Sequence, residues 1–186
     1  MDRNRSTRGF SMIEMVVVGA IILIVAAVAV PTVMRSLNTY RLSGAVSDVY
    51  NILQRTRYEA IRRNTTITCR AQQVGTTWMV WVDMNNNGAQ DATEPMILLP
   101  NNAQFVGEGT VPPPASMGFP NARTVTAAGV AFDFRGQVNF GANPPAVLVT
   151  YIGAPGQPTL GFRALSITPA GKMKIWKATP NSGWYD

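Results

Sequence analysis

Between Asp83 and Glu94 the chain places an acid or an amide at alternate positions, a glycine at the sixth and a glutamate at the twelfth, as a calcium loop requires. Hard divalent cations take oxygen ligands. Asp83, Asn85, Asn87 and Glu94 would supply them, with Gly88 at the sharp turn and Asp91 at the position that works through water. The flanks read as strands rather than helices, and Asn85-Asn86-Asn87-Gly88 is equally the composition of a β-turn. Two readings stay open, a hairpin turn and a weak calcium site of extracellular type. Calcium is the only cofactor the sequence raises.

A second chemistry is carried by Gly171-Lys172-Met173-Lys174 near the C-terminus. Alternate residues of a strand share a face, so Lys172 and Lys174 would form a cationic pair while Met173 and Ile175 turn to the core. With Arg163 on the preceding strand and Lys177 just beyond, such a pair grips phosphates without reading bases. Lysines on an edge strand also serve simply to discourage aggregation. Trp176, Trp184 and Tyr185 would stack on bases or cap a sheet.

The third feature is a carboxylate inside an apolar run. Gly9-Phe10-Ser11-Met12-Ile13-Glu14 leads into a nearly unbroken apolar stretch from Met15 to Val30, preceded by Arg3, Arg5 and Arg8. A carboxylate in a membrane helix costs about 2.5 to 3.5 kcal/mol on insertion scales, so Glu14 calls for a cationic partner. A new amine made by cutting between Gly9 and Phe10 would provide one. These residues resemble the processing site of type IV pilins and of the pseudopilins of type II secretion. The resemblance implies cleavage after Gly9 by a prepilin peptidase, N-methylation of Phe10, and pairing of Glu14 with the terminal amine of a neighbouring subunit. Pro31, closing the apolar run, also matches a family position. A secretory signal peptide cut near Ala27-Val28-Ala29, or a plain membrane anchor, accounts for the apolar run but not for Glu14.

Composition narrows the function classes. The 186 residues contain no histidine, which removes His-based triads, most catalytic zinc sites and the commonest general base. With no nucleophile–base pairing evident either, we expect no enzyme. The single cysteine, Cys69, has no internal disulfide partner and sits in Thr66-Ile67-Thr68-Cys69 as an expected buried thiol. The net charge of +6 is uneven. The stretch 32–64 holds six arginines against Asp48 and Glu59, and the domain from Thr65 onward carries only +1. The basic pI therefore belongs mainly to the helix and the leader, and says little about nucleic acid.

These groups need a scaffold. Leu42, Ala45, Val46, Val49, Ile52, Leu53, Thr56, Ala60 and Ile61 recur at spacings of three and four, which predicts an amphipathic helix continuing the apolar one from about Phe10 to about Asn64. From Thr65 the period becomes two, with strands expected at 65–70, 77–82, 96–99, 130–134, 137–140, 147–152, 162–167 and 172–176. The Pro/Gly-rich stretch 107–129 is expected to be a long loop.

The expected fold is α+β and pilin-like, a long N-terminal helix packed on an antiparallel sheet. Its divisions are a leader (1–9), a transmembrane or filament-core half-helix (10–30), an amphipathic half (31–64) and a β-rich domain (65–186). The helix, the absence of a second one and the aromatic strand Trp78-Met79-Val80-Trp81-Val82-Asp83 resemble the GspH/FimT branch of the pilins, and Gly171 to Lys174 resembles the Gly-Arg-x-Arg element of its DNA-binding members, with lysines in place of both arginines. The resemblance implies a minor type IV pilin, anchored once in the inner membrane with its C-terminal domain in the periplasm before entering the pilus. Its partners would be the prepilin peptidase, other pilins, the assembly platform and, weakly, DNA. A GspH-like minor pseudopilin of type II secretion is the alternative within the family, and an anchored periplasmic binding domain the alternative outside it.

Overall fold

The computed structural model describes residues 9–125, 129–138, 146–179 and 182–186. Leader residues 1–8 lie outside the described residues, as do 139–140 of one expected strand. The chain divides into two compact units, Met1–Leu37 and Asn38–Asp186.

One helix, α1 (Met12–Arg63), runs through both. In the first unit it is long and apolar enough to cross a membrane, and its apolar side chains stand exposed. The helix continues through Pro31, and the Thr32 hydroxyl bonds the Val28 carbonyl one turn back. At its start Ser11 occupies the cap position: its carbonyl accepts from the N–H of Glu14, while its own N–H donates to Glu14 Oε2 at 3.4 Å. This is half of a capping box, a reciprocal use of residues three apart.

In the second unit, the stripe expected from periodicity is buried from Leu42 to Ala60. Ile61 differs, being exposed, and Glu59 takes the buried place, neutralised by Arg62 and Arg63. At 3.6 residues per turn, position 59 follows 52 and 56 on the core face while 61 rotates off it.

Two sheets form where one was expected. The first has the order β3 (Met96–Leu98), β2 (Thr77–Asp83), β1 (Ile67–Val74), β6 (Val130–Phe132). The second has β4 (Gln104–Val106), β7 (Leu148–Gly153), β8 (Phe162–Ile167), β9 (Met173–Ala178), with β5 (Arg123–Thr124) also on β7. Among the described residues every strand pairing is antiparallel except β5 with β7. Strands β4 and β5 were not foreseen, and of the expected strand at 137–140 the described part shows a single bridge, Phe132 to Val138. The main core joins α1 to both sheets, with Leu42 and Leu53 of the helix, Ile67, Val82 and Phe132 of the first sheet and Leu165 and Met173 of the second in one buried cluster. A smaller cluster of Val149, Tyr151, Ala164, Ala178, Met117 and Trp184 covers the opposite face of the second sheet. Part of the expected loop supplies that cover, through Met117 and Phe119.

Candidate functional site

Strand β2 ends at Asp83, whose side chain is fully buried and ion-paired to Arg70 on β1. The same carboxylate accepts the N–H groups of Asn87 and Gly88 at 3.1 and 3.0 Å. Asn86 and Gly88 adopt positive φ, which turns the chain back. Asp91 Oδ2 receives the amides of Asn85 and Asn87, and Glu94 receives the N–H groups of Met84 and Asp91. Asn85 and Asn87 each accept an N–H two residues on. All five residues read as calcium ligands thus gather in one loop, with each of their side chains already accepting from the protein. A cation there would have to displace Arg70 from Asp83. Among the described residues no group of three or more His, Cys, Asp or Glu is placed to hold a metal.

The four cations near the C-terminus do not form one patch. Lys174 lies on the face of the second sheet that carries Trp176, with its Nζ 4.2 Å from the Trp176 ring centroid and 2.6 Å from Asp186 Oδ2. Lys172 is exposed in the turn that enters β9. Lys177 is an odd number of positions from Lys174 and therefore projects from the other face, as does its cross-strand partner Arg163. Arg163 is only 7% exposed, which corrects its expected place beside the lysines at an open phosphate-binding surface. Of the four, Lys172 and Lys174 alone keep the expected arrangement, exposed while Met173 and Ile175 pack in the core.

The turn before Lys172 is held by α1. Arg57 Nε donates to the Gly136 carbonyl at 3.0 Å, and Arg57 Nη2 reaches the Ala170 carbonyl at 3.5 Å. Sequence reading missed Arg57 because an arginine on a helix reads as solvated. Of the terminal aromatics, Trp184 is buried, stacked on Tyr151 and donating to the Pro112 carbonyl, while Tyr185 stays exposed and pairs its backbone with Lys177. Cys69 is buried as expected, and burial pushes its thiol up to about 12, far from reactive.

A family model described as type II transport protein GspH matches residues 45–171. Two crystal structures of the type IV minor pilin FimU from Pseudomonas aeruginosa PAO1 are also similar, each 18% identical over 76% of this chain. They are covered to 96% and 91%, with TM-scores of 0.48 and 0.47. Comparison with curated proteins finds no match. The family match leaves out both Gly9–Glu14 and Lys172–Lys177.

Proposed function

Because the chain belongs to the GspH family of pilin-like proteins, we propose that it is a minor pilin that assembles into a type IV pilus and supports its biogenesis. The observation that carries the reading is the coincidence of two separate signals. The family match begins at Ala45, while the Gly9-Phe10 junction, Glu14 and the exposed apolar half of α1 lie wholly before it. In this reading the prepilin peptidase cuts after Gly9 and methylates Phe10. The chain waits in the inner membrane with its C-terminal domain in the periplasm. Pro31 closes the segment that enters the filament core.

Glu14 then has two successive partners. Before assembly its carboxylate faces the Ser11 N–H, which lowers the cost of keeping it in an apolar helix. On assembly the amine of a neighbouring Phe10 replaces that contact with a charge-assisted one, roughly twice as strong as a neutral hydrogen bond. Other pilins and the assembly platform are the partners. The protein performs no chemistry of its own in this role. Lys172 and Lys174 add weak, sequence-independent attraction for DNA.

Mass spectrometry of the membrane-extracted protein tests processing: a terminus at N-methyl-Phe10 is expected, and one near Val30 would refute the reading. Glu14→Ala is expected to be processed and inserted but absent from filaments. The family description, type II transport, favours a second reading as a minor pseudopilin. Deletion distinguishes the two, since loss of secreted proteins with intact pili would select it.

A further inference from the structure

Strand β3 is an edge that the fold leaves open. It pairs with β2 on one side, and among the described residues no strand lies on the other. The Val82 N–H donates to the Pro95 carbonyl at 3.0 Å and the Leu99 N–H to that of Trp78 at 2.8 Å, so residues 95, 97 and 99 direct their backbone groups at β2. In an antiparallel ladder the alternate residues turn theirs away, which leaves the N–H and C=O of Met96 and Leu98 pointing outward. These two residues are 48% and 58% exposed. Edges are ordinarily blunted by charge, proline or a bulge, and Met96, Ile97 and Leu98 supply neither charge nor proline.

Beside this edge runs a groove of about 160 Å³ between β3 and α1. Its apolar lining includes Ile52, Pro95 and Ile97, and its helix side carries Asp48 and Arg55. Those two charges are seven residues apart, hence on one face of α1 and about 10 Å from each other along it. Neither makes an ion pair or a side-chain hydrogen bond among the described residues. The groove is close in volume to the ~150 Å³ that accommodates a benzene ring.

Strand addition uses all of these features at once. On an added strand the residue beside Ile97 shares its face and enters the groove, while its neighbours on either side pair their backbones with Met96 and Leu98. The residues two before and two after it return to the groove face about 13 Å apart, one toward Asp48 and one toward Arg55. We propose that the β3 edge receives an extended segment of a partner chain, with a large apolar side chain at its centre, a base two residues to one side and an acid two residues to the other. Among the described residues none of the strands of this chain carries both a base and an acid, so the partner is a different protein rather than a second copy. The proposal holds for a pilus and for a secretion apparatus alike.

The test uses the full chain in detergent and two labelled heptapeptides, Thr-Lys-Val-Phe-Val-Glu-Thr and the same peptide with Glu in place of Lys, titrated by fluorescence anisotropy at low salt. The first is expected to bind roughly fivefold more tightly, against the preference for the acidic peptide that the net charge of +6 alone would give. Asp48→Arg, at an exposed position, keeps the fold and is expected to invert that order. Leu98→Pro removes an N–H that makes no bond within the sheet, so it is expected to melt close to wild type and to lose both peptides. Amide hydrogen exchange at Met96 and Leu98 is expected to slow on binding, with Ile97 unchanged because its N–H already bonds β2. Absence of binding by either peptide overturns the proposal, as does an order that Asp48→Arg leaves unaltered. A dimer in light scattering that Leu98→Pro separates, with no peptide bound, also overturns it and gives the edge to a second copy.

Discussion

Arg57 on α1 and Gly171 before β9 share one small space. A Cβ on Gly171 would stand 2.9 Å from the Arg57 Nε and 2.2 Å from the Gly136 carbonyl oxygen that Nε binds. Gly171 also has φ +76°, so its lack of a side chain is demanded twice. The glycine that opens Gly171-Lys172-Met173-Lys174 is thereby explained by docking of its turn on the helix, whatever the lysines bind.

Gly171→Ala is therefore expected to destabilise by about 3 kcal/mol or more, from the left-handed strain and the backbone clash together. Chemical denaturation of the full chain in detergent measures it. A loss under about 1 kcal/mol, the cost of a mild glycine replacement, would show that the turn moves away freely.

The Asp83–Glu94 loop is expected to stay indifferent to calcium, because Arg70 already neutralises Asp83 and the loop amides use the remaining oxygens. Melting curves with millimolar calcium and with chelator should coincide for wild type. Arg70→Ala should melt lower, by about 2 kcal/mol for an Asp83 left with its two N–H bonds alone, and should regain part of that loss in calcium. A calcium-dependent rise in wild type would restore the loop as a metal site.

DNA binding, if carried by Lys172 and Lys174, should be weak and should fall steeply with salt, with a slope set by about two phosphates. Lys172→Ala with Lys174→Ala should abolish it in a low-salt gel shift. Asp186→Asn should strengthen it roughly twofold by freeing Lys174 from an exposed ion pair. Equal titration by wild type and the double lysine variant would return both residues to edge protection.

Glu59 links stability to pH. Hydrogen bonds from Arg62, then from Arg63, hold its carboxyl below the usual value against the opposing effect of burial. A depressed folded pKa contributes stability above the unfolded value of 4.5 and loses it as the pH falls through the folded one. The difference in unfolding free energy between wild type and Glu59→Gln should thus be full at neutral pH and vanish in acid. A difference that persists unchanged below pH of about 3 would assign the effect to packing.

Much of this was readable from spacing. The helix followed from a 3.6-residue stripe, and β1, β2, β7, β8 and β9 from alternation between turn residues, because long periodic segments declare their buried face. Strands β4 and β5 were not readable, having three and two residues and no alternation to reveal them. The calcium motif is a pattern of oxygens in the linear sequence. The side chain that stands against a cation there, Arg70, lies thirteen residues upstream on a paired strand, and such register is invisible in a linear motif. Arg163 failed for a related reason, since its distance from the lysines in sequence gave no parity until β8 and β9 were aligned.

The core that joins α1 to Met173 has a kinetic consequence. The helix ends at Arg63 and the last strand that shares its core starts more than 100 residues later, so the packing of α1 is completed only by contacts of very long range. Chains dominated by such contacts close slowly, because loop entropy must be spent before the contact returns anything. Until β9 adds Met173 and Ile175, Leu165 and Ile167 on β8 line an unfinished core, and the newly made chain carries an apolar sheet edge open to others like it.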